Sequence, residues 1–376
     1  MSDAPLPSVP PDLPESHDAL DLLRPKRALA SRLVRTSLIA ARAAAPRVTT
    51  TRGPLPFALR SPMARAGALV LALFALVAVF ADLLASDLPI ACRFRGHLYV
   101  FPNVTAPASL AGKDCAQMRA EAAPGDWMLP PLVPHGPEAS AGPKILLAPP
   151  FTAGHPLGTD ARGRDVFARV THGARTALGL GLFGSVVLVA IGLLLGATAG
   201  FVGGLVDTLI ARVIEALTAI PTLLLVLVVG SLVSHATTAT LVWTVALTRW
   251  TDLARLVRAD VVVTLGKDYV TAARALGASP PRILLRHVLP HAIGPAIVAA
   301  AFGLASVVVT EAAVDFLRGD SFDTLASWGE TLGEARSSEG AWWLVAFPGL
   351  ALLATLVALN LVGEAAHDGL DPYRSP

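Results

Sequence analysis

Predominantly apolar stretches recur along the chain at residues 66–85, 176–201, 206–233, 238–259, 292–316 and 342–363. About 20 apolar residues carry a helix across the hydrocarbon core of a bilayer, so the pattern predicts six transmembrane helices. Polar residues gather between them in two places. Residues 86–175 form one long interval, rich in Pro and Gly. The other lies around the junction of the fourth and fifth stretches and holds Arg255, Arg258, Lys267, Arg274, Arg282 and Arg286. Short positive loops stay in the cytoplasm. That rule puts the basic interval and both termini inside and residues 86–175 outside, since long loops follow their neighbouring spans whatever their charge.

Composition agrees with a lipid-covered body. The 376 residues are 53% hydrophobic and only 15% charged, with a mean hydropathy of +0.60, whereas soluble domains carry about 25% charged residues. A net charge of +2 gives no field that would draw nucleic acid. Residues 1–65 are rich in Pro, Ala and Arg and read as a basic cytoplasmic tail, with at most a short surface helix near residues 20–45. The first apolar run starts only after Arg65, too late for a cleaved signal peptide, so residues 66–85 are expected to remain as the first span. Cys92 and Cys115 are the only cysteines, too few for a structural zinc site or a thiol redox motif. Both fall in the external interval. They either close it with a disulfide, worth roughly 3 kcal/mol, or stay as two unpaired thiols.

No catalytic constellation is present. Gly179, Gly181 and Gly184 spell a dinucleotide fingerprint, but no strand precedes them and they lie inside an apolar run, so the match carries no chemistry. Gly192, Gly196, Gly200 and Gly204 repeat every fourth residue and predict a small-residue groove for close helix packing. A Walker A loop, a zincin pair, a CxxC pair and a nucleophile elbow are all missing from the sequence. The chain therefore reads as a non-enzyme with no metal site, and any ATP that drives it binds another chain.

The most informative stretch is residues 267–290. A first helix from Lys267 to Leu276 would end at Gly277, a left-handed cap. Ser279 would cap a second helix whose first turn tolerates Pro280 and Pro281. This second helix is expected to break at Pro290, where the fifth span begins. Ile283 and Leu284 fall on one side of it, Arg282 and Arg286 on another. Such a stub suits a groove on a soluble partner; the alternative is an amphipathic helix resting on lipid headgroups.

This stretch resembles the EAA coupling loop of ABC-importer permeases, whose pattern is E-A-A, three residues, G, nine residues, then I-x-L-P. Ala272, Ala273, Gly277, Leu289 and Pro290 match, while Thr271 replaces the acidic residue and His287 the isoleucine. The run A-A-R-A-L-G followed by R-H-x-L-P is similar to the dipeptide/oligopeptide/nickel branch. Further segments resemble its C-type subunit: His155 to Asp160 with Gly163, Arg164 and Asp165; Gly203, Gly204 and Asp207; Ile220 and Pro221; Glu311; Ser327 to Gly329; Trp342 and Trp343; Phe347 to Gly349; Asn360; and Leu370 to Pro372. Residues after Asp165, through Arg175, would form an amphipathic helix at the outer surface.

The resemblance implies an all-α polytopic membrane protein of the ABC importer type I permease fold. Its parts would be a tail (1–65), a first helix (66–85), an external loop (86–175) with an insert at 88–150, a five-helix core (176–366) containing the coupling loop, and a tail (367–376). Thr271, Ala272, Ala273, Gly277, Arg282, His287, Leu289 and Pro290 would couple to ATPases. The implied partners are a second homologous permease, two ABC ATPase subunits holding ATP and Mg, an external solute-binding protein and the lipid bilayer. Asp315, Arg318 and Asp320 depart from the usual glycine-rich turn after Glu311, which makes Glu311 and Asp315 candidates for the pathway; pairing with Arg318 or a partner is the simpler reading. An autonomous secondary transporter or channel is the alternative function, but it predicts inverted repeats and a buried ion-coupling cluster, and no convincing repeat is visible.

Overall fold

The computed structural model describes residues 61–140, 145–152, 154–233, 237–318 and 325–370. The basic tail up to residue 60 and the last six residues lie outside the described residues. Helix α1 (Pro62–Val79) starts where Ser61 accepts a hydrogen bond from the Ala64 amide, and Pro62 fills its first position. The short α2 (Ala81–Leu84) follows. The long polar interval then folds into a small unit of β1 (Ala91–Phe94), β2 (His97–Val100), α3 (Pro102–Thr105), α4 (Cys115–Ala120) and β3 (Trp127–Leu129). The strands are antiparallel in the order β2-β1-β3, with Cys92 opposite Tyr99 and Met128. Their inner face packs Cys92 and Phe94 on Leu110 and Met118.

The helical body contains α5 (Val166–Val202), the pair α6 (Gly204–Thr218) and α7 (Thr222–Leu232), and α8 (Thr238–Leu265). Next come the short α9 (Asp268–Ala275) and α10 (Pro280–Ile283), then α11 (Leu289–Arg318), the seven-residue α12 (Trp328–Glu334) and α13 (Trp343–Leu370). Among the described residues four helices are long and apolar enough to cross a membrane: Pro62–Val79, Val166–Val202, Pro280–Arg318 and Trp343–Gly369. The α6/α7 pair makes a fifth if its two bent halves count as one crossing.

Three sequence expectations change here. The third stretch is not one continuous helix: α6 and α7 meet at 80°. Pro221 has no amide hydrogen and disfavours helical geometry at Ile220, so the chain breaks there. The fourth stretch is helical throughout α8, but Arg249, Asp252, Arg255 and Arg258 keep it out of the apolar set. Pro290 does not end a helix. A π-helical turn over Leu284–Val288 joins α10 to α11, and one helical stretch runs from Pro280 to Arg318. The π turn re-registers the hydrogen-bond ladder just where Pro290 removes a donor.

The expected surface helix before Arg175 is likewise the first part of α5, which has 37 residues and begins at the Asp165 cap. At 1.5 Å per residue such a helix is about 55 Å long, some 25 Å more than the hydrocarbon thickness. Its only charged residues, Arg169 and Arg175, fall in its first turns.

Close packing of α5 on α8 organises the core. A Cβ at Gly192 would lie 2.9 Å from Leu253, at Gly196 2.5 Å from the Ala254 carbonyl oxygen, and at Gly200 2.9 Å from that of Arg258. Gly204 does not belong to this groove. It starts α6 with φ +57° and open space where its side chain would be. The groove extends the other way instead: Gly181 meets Val308 and Leu304, and Gly184 meets Val307 and Val242.

Candidate functional site

One end of the helical body carries the stub formed by α9 and α10. Gly277 has φ +84°, a conformation open to glycine and costly for other residues. Around it the Ala278 amide donates to Ala273 O at 3.1 Å and the Gly277 amide to Arg274 O at 3.0 Å, a Schellman turn that satisfies the end of α9. Ser279 occupies the cap position of α10, but its side chain makes no capping hydrogen bond; Pro280 and Pro281 remove the first two amides of the turn, leaving Arg282 as the one cap donor within it. Ile283 and Val288 are buried and anchor the stub in the core. Thr271, Ala272, Gly277, Arg282 and Pro290 are exposed, while Ala273, His287 and Leu289 are half-buried.

Two apolar residues that were not singled out in the sequence stand out on this surface: Leu276 is 89% exposed and Leu285 63%. Arg274, Arg282 and Arg286, close to them in sequence, are exposed as well. Leucines framed by arginines make an apolar plug with a charged rim, the ordinary anatomy of a protein contact. Beside the stub, Arg258 grips Asp207 with both Nε and Nη2, tying the start of α6 to α8.

The opposite end is closed by a buried ionic clasp. Asp160 accepts from the Arg162 and Arg164 amides and, at 2.7 Å, from Arg164 Nε. Arg164 also donates to Glu138 at 2.9 Å, to Glu330 at 3.1 Å and to Glu334. Arg169, fully buried in the second turn of α5, donates to Glu330 and Glu138 at 2.7 Å each and to Thr331 at 3.1 Å. The loop ahead of α5 is thus locked to α12.

Burial would raise Glu330, but Arg169 and Arg164 outweigh it and hold the carboxyl below its ordinary value. Glu334 goes the other way: burial and the nearby Asp160 charge push it up to about 7, against the pull of Arg164. Indoles pin the same region, Trp328 donating to Val170 O at 2.9 Å and Trp343 to Thr159 O at 3.0 Å. His155 and Asp165 form a buried pair at 2.6 Å.

Glu311 and Asp315 lie just beneath the clasp on α11, buried against α12, where Ser327 donates to Glu311 at 2.8 Å. Neither opens onto bulk solvent in the single chain. Cys92 and Cys115 are buried and unbonded, and burial first, then the Asp114 and Asp87 charges, push the Cys115 thiol up to about 12. Among the described residues no group of three or more His, Cys, Asp or Glu is arranged to hold a metal ion.

The chain matches the family described as binding-protein-dependent transport system inner membrane components over residues 192–375. A di/tripeptide transport system permease protein of Pseudomonas aeruginosa is 36% identical over 248 residues, 65% of this chain and 82% of that protein. The chain belongs to this family of transport-system inner membrane components. A dipeptide transport system permease protein of Bacillus subtilis is 33% identical over 225 residues, 59% of this chain and 70% of the relative. A glutathione transport system permease protein of Pectobacterium atrosepticum is 35% identical over 222 residues, 59% and 73% respectively. This family membership and the apolar helices make the chain a multi-pass protein of the inner membrane, acting as a permease subunit rather than an enzyme.

Proposed function

We propose that this chain is one of two permease subunits of an ATP-driven importer of peptides or related small solutes. The observation that carries the reading is the projecting stub, with Leu276 and Leu285 bare on a rigid turn whose sequence resembles the coupling loop. Thr271, Ala272, Ala273, Gly277, Arg282, His287, Leu289 and Pro290 form or flank that turn. Two cytoplasmic ATPase subunits, which hold ATP and Mg, receive the stub in a groove and turn their closure into tilting of the spans. A second, homologous permease completes the pathway, and an external solute-binding protein delivers cargo. ATP binding shifts the equilibrium between inward- and outward-open states by its differential affinity for them.

The bundle crosses the bilayer six times. Helices α1, α5, α8, α11 and α13 alternate in direction with the bent α6/α7 pair, and the half-exposed Arg249, Asp252 and Arg255 of α8 face water or a partner chain rather than lipid. Arg255, Arg258, Lys267, Arg274, Arg282 and Arg286 cluster at the stub end, which supports a cytoplasmic position for the stub and for both termini. The clasp and the small sheet then face outward.

Gentle purification of the tagged chain from membranes tests this reading. The expected companions are P-loop ATPases and a second permease, and they are expected to be lost from a Leu276→Glu variant that still inserts. A chain that purifies alone and transports in liposomes without ATP would replace this reading with a secondary transporter.

A further inference from the structure

Most of the exposed surface of the helical body is apolar, as lipid requires, but one face of α8 is not. Arg249 and Asp252 sit on it, each about half exposed, near the middle of a 28-residue helix that the six-crossing reading above carries through the bilayer. Charged side chains at such depth face water or protein rather than lipid. Beside Arg249 is an open cavity of about 360 Å³, lined by Phe302, Ser306 and Thr310 of α11 and Asn360 of α13 as well as by Arg249. Three helices thus contribute polar groups to one space. Thr310 spends its hydroxyl hydrogen on Ser306 O at 2.7 Å, whereas the buried Ser306 Oγ has no hydrogen-bond partner.

Charge on this face is unequal. Asp252 is held by Arg255 at 2.6 Å, and Arg249 reaches the same carboxylate only at 3.7 Å. The guanidinium of Arg249 therefore keeps most of its donors free for something else. A planar guanidinium matches a carboxylate in two parallel hydrogen bonds, and the Ser306 hydroxyl and the Asn360 amide add neutral donors at the cavity wall.

We propose that this cavity is a solute-binding station within the membrane, and that Arg249 reads a carboxylate of the passing cargo. Ser306 and Asn360 position that group, and the α8 face between Arg249 and Asp252 lines the pathway. The inference rests on the permease reading and adds a site and a ligand charge to it. It also relocates the pathway from Glu311 and Asp315, which are buried under the clasp, to a face that is open.

Thiol reactivity tests the proposal without knowledge of the cargo. The full chain, expressed with its partner chains in native membranes, would carry Ser306→Cys or, separately, Val309→Cys. Each is treated with the anionic sulfonatoethyl and the cationic trimethylammonioethyl methanethiosulfonates; the parent, whose own cysteines are buried, is the blank. The expected result is reaction with both reagents and a preference for the anionic one of roughly tenfold, lost when Arg249→Gln is added. Failure of both positions to react, or equal rates that Arg249→Gln leaves unchanged, would overturn the site. A normal preference in a chain that copurifies without ATPases would sink the importer reading and leave the site standing.

Discussion

Arg169 is the residue on which the clasp depends most. It is fully buried, and its guanidinium spans Glu330 and Glu138 at 2.7 Å, Thr331 at 3.1 Å and the Pro137 carbonyl at 3.3 Å. In Arg169→Met, Glu138 can turn to solvent because it is 42% exposed. Glu330 cannot; it keeps only Arg164 at 3.1 Å and the more distant Arg162 at 3.6 Å. Removing one partner of a buried pair costs about 3–5 kcal/mol, because the remaining charge stays buried. At about 2 °C per kcal/mol for a chain of this size, the unfolding midpoint in nanodiscs should fall by on the order of 6–10 °C. Adding Glu330→Gln should restore much of the loss, since the stranded charge is gone. A midpoint within a degree of the parent for Arg169→Met, or a double variant less stable than the single one, would refute the reasoning.

Other parts of the structure make equally definite claims. Gly196→Ala places a methyl 2.5 Å from the Ala254 carbonyl oxygen, so it should destabilise by about 1–3 kcal/mol, whereas Gly179→Ala meets nothing within 4 Å and should be nearly neutral in the same thermal assay. Glu334 has a carboxyl raised to about 7, so the folded form holds its proton more tightly than the unfolded form. Its contribution therefore weakens as pH rises from about 4.5 towards 7, and Glu334→Gln should flatten that part of the stability profile; an unchanged slope would reject the assignment. Cys92 and Cys115 should resist iodoacetamide in the folded protein and both react after denaturation without reductant; two unreactive sulfurs after denaturation would instead reveal a disulfide.

Among the described residues the hydrophobic pattern marked where the long helices lie, because burial in lipid demands a run that local sequence alone can display. It was less informative where the chain departs from a straight rod. Ile220 and Pro221 were visible as a motif, yet the 80° bend depends on which way the backbone turns after the missing amide. Pro290 reads as a stop by the usual rule, and only the π turn at Leu284–Val288 shows how one helix passes through it.

The stub was legible because Gly277 and the double proline act locally. Leu276 and Leu285 were not, since exposure is a tertiary property. The clasp was hidden for a related reason. Arg164 and Arg169 meet Glu330 and Glu334 across more than 160 residues, and a charge in a polar loop looks solvated until its partner is found. One usable signal was Arg169 itself, a charge about one turn from the start of a long apolar helix. Arg249 gave the same kind of signal inside the fourth apolar stretch.

The central claim is that the stub converts ATP binding into solute movement. Its most direct test is uptake of a radiolabelled peptide into proteoliposomes that contain the purified assembly, the external binding protein and internal ATP, with Gly277→Val compared to the parent. A β-branched residue at φ +84° strains the turn by about 1–2 kcal/mol, so the variant should insert and bind its companions weakly while ATP-driven uptake falls sharply. Equal uptake by parent and variant, or uptake by the parent that does not need ATP, would contradict the account.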